Sequence, residues 1–239
     1  MAFPPLSNIL FIDIETVPQY PDYGSMPDDW KSLWDTKSVS LLKYHEAQTN
    51  ETLYPRAGIY AEFGKIICIS CGALQGAGAN RKLVIKSFCG EDERQVLIPF
   101  IDMLSKWAQG EQKFLCAHNG KEFDFPYICR RMLVNCISLP PVLNLSGKKS
   151  WEIPHLDTLE LWKFGDYKHF TSLKLLTKIL GVPSPKGDID GSQVAHVFYV
   201  EKDIDRIVTY CEKDTIAVAQ IFLRLRREDL LIEDEIIHV

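Results

Sequence analysis

The sequence predicts an α/β fold, a mixed sheet of five or more strands flanked by helices. Three observations carry this expectation. Apolar runs of strand character stand at 8–15, 65–73 (KIICISCGA) and 82–89 (KLVIKSFC). Beyond residue 90, helical periodicity alternates with short apolar strand-like runs. Glycines at 110 and 181 close two of the helical stretches. With 239 residues, 46% of them hydrophobic, the chain has ample length to bury a core, and one domain over 1–239 is expected.

In chain order, residues 8–15 read as a buried strand. Residues 18–60, punctuated by Pro18, Pro21 and Pro27, form a long insertion. Its amphipathic stretch DDWKSLWDTKSVSLLKYHEA suits a helical lid or buttress. The strands 65–73 and 82–89 are joined by the glycine-rich link QGAGAN, which suits a hairpin. Residues 91–109 have helical periodicity. KFLCAHN, 113–119, is a short buried strand, and 125–136 a helix with Pro126 in its first turn. PPVLNLSGKKSW, from 140, suggests a strand and a basic loop, and HLDTLELWKF a strand end leading into a helix. A capped helix at 171–181, a loop at 183–192 and a long helix at 203–227 complete the chain.

Composition narrows the function. No apolar run reaches 18 residues, so no membrane span is expected. MAFPPLSN carries neither a charged n-region nor an apolar h-region, so no signal peptide is expected. Seven cysteines lie mostly in apolar stretches and read as reduced thiols of a cytoplasmic protein. Cys68 and Cys71 form a CxxC on a strand, where residues three apart point to opposite faces, so core packing is favoured over zinc. A formal charge of −5 gives no global attraction to nucleic acid; a polyanionic substrate needs metal ions at a local acidic cluster.

Such acids occur in three segments. In NILFIDIETVP, alternation puts Leu10, Ile12 and Ile14 on one face and Phe11, Asp13 and Glu15 on the other. Two adjacent carboxylates raise each other's pKa, and a divalent cation with a preference for oxygen removes that penalty. Two solvated acids at a strand end would give the same pattern. In HNGKEFDFPYICRR, Asp124 stands where a strand-to-turn segment enters a helix, a place that also suits a simple cap. In IDRIVTYCEKDTIAVAQIFLRL, Ile207, Tyr210, Cys211, Asp214, Ala217, Val218 and Ile221 share one helical face. Asp214 interrupts that apolar face with Tyr210 one turn before it. A hydrogen bond at the rim of the core is the plainer explanation.

FIDIET, HNGKEFD and YCEKD resemble, in order, the three exonuclease motifs of the DEDD superfamily, which has a ribonuclease H-like fold. The whole chain from about 6 to 227 looks most like a small family of predicted 3′–5′ exonucleases related to the proofreading domain of B-family DNA polymerases. FGKIICIS and DIDGSQV share that likeness. Thr209 stands where the histidine subtype has its histidine, and Tyr210 fits the tyrosine subtype. The resemblance implies two-metal hydrolysis of phosphodiester bonds at a 3′ end, with single-stranded DNA favoured over RNA. It implies Asp13, Glu15, Asp124 and Asp214 as ligands of two Mg2+ or Mn2+ ions, with Asp13 bridging, and Tyr210 orienting the attacking water. Thr16, Val17, Asn119 and Phe123 are expected at the terminal nucleotide; Lys121, Arg130, Arg131 and the GKK at 147–149 are candidates for phosphate contacts. The rival readings are a non-catalytic nucleic-acid-binding module of the same fold, and a metal-dependent phosphatase or endonuclease.

Overall fold

The computed structural model describes residues 3–44, 48–76, 78–166, 168, 170–183 and 188–239. Among these, the strands form one six-stranded mixed sheet. Its first strand, β1 (Ile9–Pro18), is followed by the helices α1 (Asp28–Leu42) and α2 (Asn50–Leu53) of the insertion. Next come β2 (Gly64–Gln75), β3 (Lys82–Cys89), α3 (Glu93–Trp107), β4 (Phe114–Ala117) and α4 (Asp124–Val134). The chain continues through β5 (Leu156–Asp157), α5 (Thr158–Lys163), α6 (Leu173–Ile179) and the one-turn α7 (Val194–His196). A π-helical turn (Val197–Glu201), α8 (Ile204–Leu225) and β6 (Ile236–His238) complete it.

The strand order is β5-β4-β1-β2-β3-β6. β1, β2 and β3 pair antiparallel, whereas β4 runs parallel to β1 and β5 parallel to β4. β1 is therefore central, and helices cover both of its faces, which explains why its run is apolar on both sides. Leu10, Ile12 and Ile14 face α3 and α4, in a core with Val96, Phe100, Ile128 and Met132. Ile9 and Phe11 face the C-terminal half of α8, with Val218, Phe222 and Leu223. Val17 joins Ile207 and Cys211 of the N-terminal half of α8 in a separate cluster. Gly72 lets α8 come this close to the sheet: a Cβ there would lie 2.9 Å from Ile85 and 3.3 Å from Thr215.

The strand pairing shifts register between Glu15 and Thr16, opposite Ile66 and Cys68. At that irregularity the Ile66 N–H donates to Glu93 Oε1 at 2.7 Å. Glu93 is itself paired with Arg131 (Nη2 to Oε2, 2.6 Å), and Arg131 Nη1 donates to the Ala61 carbonyl at 2.9 Å. Both side chains are buried. Arg131 therefore has no free guanidinium for a phosphate, which corrects its candidate role; the i+3 and i+4 spacing from Ile128 and Tyr127 turns it inward.

One further expectation changes, and two elements gain definition. The strand suggested after residue 140 is absent; Pro141–Leu143 and Ser150–Glu152 are single 3-10 turns. Pro140 and Pro141 lack the N–H groups a ladder needs. β6, too short to show alternation, extends the sheet edge by pairing parallel to β3. The insertion is a buttress: Met26, Trp34, Leu53, Tyr54 and Phe63 form their own core. Its Gly58 carbonyl accepts from Thr16 Oγ1 at 2.8 Å and from Tyr127 Oη at 2.7 Å, tying it to β1 and α4. Residues 45–47 of the amphipathic stretch, 77 of the hairpin link and 184–187 of the late loop lie outside the described residues.

Replacing Glu93 by Ala leaves Arg131 buried without its counter-charge. The expected loss is about 3–5 kcal/mol of unfolding free energy, measured by urea denaturation. A loss below about 1 kcal/mol would show that the pair does not hold the strand irregularity in place.

Candidate active site

On the α8 face of β1, Phe11 and Val17 lie in separate apolar clusters, and Asp13 and Glu15 occupy the gap between them. The same gap appears on α8, where Asp214 lies between Cys211 and Val218. Two apolar packings thus clamp the strand against the helix on either side of three acids. Asp124 comes from the other layer. It is the first residue of α4, after a turn that begins at Asn119 with φ 63°. Phe123 is the N-cap residue, so Asp124 is not the cap; its carboxylate accepts from the Ile14 backbone N–H beside the strand acids.

The electrostatics are those of crowded acids. Burial, followed by the charges of Glu15, Asp214 and Asp124, pushes the Asp13 carboxyl well above the usual range. Burial and Asp214 do the same to Glu15. Burial lifts Asp124 to about 7. Asp214 rises to about 6 through burial, partly offset by the hydrogen bond it accepts from the Tyr210 hydroxyl. Burial and the neighbouring Asp214 raise the Tyr210 phenol, which stays protonated and donates to that carboxylate. Asp13 Oδ2 is buried with no hydrogen-bond partner. Buried carboxylate oxygens are ordinarily satisfied, so an orphan among acids is where a cation fits. Ligand atoms of Asp13, Glu15 and Cys211 lie within 4.8 Å of one another and could hold an ion.

Several residues beyond the expected ligands shape the site, and Asp157 lies outside all three motifs. Asp157 caps α5 by accepting from Leu159 N–H (2.9 Å) and also accepts from Asn119 N–H (2.9 Å) and Lys121 N–H (3.1 Å). This one buried carboxylate therefore holds the turn that leads to Asp124. Its legible trace is the Asp-Thr-Leu-Glu run, a capping pattern before a helix. His118 Nε2 donates to the Thr171 carbonyl at 2.9 Å, leaving Nδ1 to accept from the Thr158 hydroxyl at 2.9 Å. Burial lowers its pKa and keeps the ring neutral. Cys211 Sγ donates to the Asp13 carbonyl at 3.4 Å, fixing the helix against the strand at the site itself.

A cleft of about 820 Å³ opens onto Asp13 and Asp214, with Glu15 and Asp124 behind its lining. Asp13, Tyr210, Lys213 and Asp214 line one part; His118, Phe170, Lys174 and Asp190 line others. The expected nucleotide contacts stand apart from this lining. Val17 is fully buried, so only its backbone is available. Thr16 is engaged with Gly58, and Phe123 packs on Tyr127 at 5.4 Å between ring centroids. Asn119 is half-buried at its turn. Lys121 is paired with Glu160 at 2.8 Å, Lys149 lies over the exposed Trp151 ring, and Arg130 is exposed on α4.

Residues 59–235 match the family described as a predicted 3′–5′ exonuclease related to the exonuclease domain of PolB. The match contains Asp124, Tyr210 and Asp214 and begins beyond β1. No match was found among curated proteins. Among solved structures, the chain is similar to the family B DNA polymerase from the hyperthermophilic archaeon Pyrobaculum calidifontis. The identity is 15% and the TM-score 0.51, over 93% of this chain and 25% of that one. The chain thus spans a quarter of that polymerase's length. The fold is the ribonuclease H-like α/β arrangement that the motifs imply. Among the described residues, no helix is long and apolar enough to cross a membrane.

The raised pKa values carry a stability consequence. Between about pH 4 and 7 the folded site holds protons that the unfolded chain has released, so the metal-free protein loses stability as pH rises through that window. Asp214→Asn keeps the acceptor for Tyr210 and removes the charge; it is expected to stabilise the metal-free protein at pH 7 by about 1–3 kcal/mol. Thermal unfolding in chelator, at pH 5 and pH 7.5, measures this. A variant with unchanged or lower stability at pH 7.5 contradicts it.

Proposed function

The chain belongs to the family of predicted 3′–5′ exonucleases related to the exonuclease domain of PolB, and we propose from that premise that it is a metal-dependent 3′–5′ exonuclease acting on single-stranded nucleic acid, DNA in preference to RNA. The observation that carries the reading is the orphaned Asp13 Oδ2, buried among Glu15, Asp124 and Asp214. Two divalent cations, Mg2+ or Mn2+, held by these four carboxylates would offset their charge and favour ionisation of the attacking water. A reducing, cytoplasmic setting fits the seven free thiols.

The chain's own contribution is placement. Asp13 and Glu15 project from a central strand that is laddered to β2 along the acids and anchored to β4 just before them, at Ile9–Phe11, so their separation is set before any substrate arrives. The Tyr210 hydroxyl donates a hydrogen bond to Asp214, which leaves its oxygen lone pairs free to accept from a water molecule. Its raised pKa makes it an orienting group rather than a base. Asp124 arrives from the opposite layer on a turn that Asp157 holds rigid. The apolar clusters of Phe11 and Val17 exclude water on either side of the acids.

On a 5′-labelled oligonucleotide with Mg2+ or Mn2+, the protein is expected to give a ladder shortened from the 3′ end and to leave circular strands intact. Chelator abolishes the reaction. Asp13→Ala and Asp214→Ala reduce it to background with the fold retained by circular dichroism. Tyr210→Phe lowers kcat by about ten- to a hundred-fold. Full activity in either alanine variant, or cleavage of circles, overturns the assignment.

A further inference from the structure

Phe170 is 64% exposed, yet it stands inside the same cleft as Asp13, Tyr210 and Asp214. An exposed phenyl on the wall of an acid-lined cleft gains little from burial. Its position is nevertheless held firmly. The next residue's carbonyl, on Thr171, accepts from His118 Nε2. The residue after that, Ser172, caps α6 by accepting from Leu175 N–H at 3.3 Å. The His118 ring, itself held at both nitrogens, meets Phe170 with centroids 6.2 Å apart and planes at 71°. This edge-type contact supports Phe170 without stacking on it. Lys174 and Lys213 line the same cleft. By contrast Phe123, the aromatic of the second motif, packs against Tyr127 outside the cleft lining.

We propose that Phe170 is the stacking platform for a nucleobase of the strand whose 3′ end enters the carboxylate cleft, with His118 as its fixed backing. The proposal rests on the exonuclease reading and adds a specificity determinant to it. Stacking on a phenyl requires a base freed from its partner strand, so the cleft selects single-stranded ends. Every base has a π-face, so selection by sequence is weak.

The test uses the full chain in Ca2+, with oligonucleotides carrying 2-aminopurine near the 3′ end and matched strands carrying abasic residues there. Wild-type protein is expected to quench the 2-aminopurine and to bind the base-bearing strand more tightly than the abasic one. Phe170→Ala is expected to lose the quenching and to weaken base-bearing strands about ten-fold, with abasic strands bound as by wild type. Phe170→Trp restores the base-bearing affinity. If Phe170→Ala binds and quenches like wild type, or weakens both strands equally, the stacking role is wrong although the nuclease reading stands. If wild-type protein neither binds nor shortens free 3′ ends in Mg2+ or Mn2+, both fall together.

Discussion

Like-charge repulsion on the central strand is the constraint around which this molecule is built. Asp13 and Glu15 point to one side of β1, and α8 sets Asp214 against them. Left to themselves, such carboxylates would swing into water. They are kept in place because the strand that carries them is paired with β2 along the acids and with β4 just before them, and the helix opposite is clamped at two apolar clusters. The packing energy of Phe11 with Phe222, and of Val17 with Ile207, holds together what electrostatics would separate. The acids thus lower the stability of the empty fold, a common property of sites whose geometry is set before a ligand arrives.

The position of Glu15 depends on a second buried charge pair on the other face of the sheet. The register shift beside Glu15 is met by Glu93, which takes the Ile66 N–H, and Glu93 is in turn balanced by Arg131. Arg131 also fixes Ala61 at the end of the insertion, and Gly58 of the same segment binds Thr16. The irregularity that ends the acid-bearing stretch of β1 is therefore supported from α3, α4 and the insertion together. This explains why a segment that contributes nothing to the cleft lining is packed so closely against the strand.

The legible parts of the chain are those in which a single local pattern decides the outcome. The alternation in β1 separated Leu10, Ile12 and Ile14 from Asp13 and Glu15, and the structure divides them the same way. The 3-and-4 spacing of α8 identified Asp214 and Tyr210 as polar interruptions of a buried face. What was not legible depends on contacts between distant segments. Asp157 resembles an ordinary helix cap until the Asn119 turn is folded against it. Arg131 resembles a surface cation until Glu93, 38 residues away, is brought beside it. Phe170 has no periodic pattern at all, and its place in the cleft follows from His118 binding the Thr171 carbonyl.

The formal charge of −5 and an anionic substrate are reconciled by where the charges lie. The four acids are sequestered between layers, so their field acts on the cleft rather than on the surface at large. Cations held there, as proposed, would offset that field where a phosphate would approach, and ionic screening weakens the remainder beyond about 10 Å. A protein organised in this way has no need of a broad basic face. On the proposed reading it needs a rigid acidic centre, a ring for a base to rest on, and lysines in the cleft. Lys174 and Lys213 at the cleft, with Phe170 between His118 and the solvent, match that requirement. On the proposed reading, affinity would reside in the nucleotides nearest the carboxylates and not in a long electrostatic track.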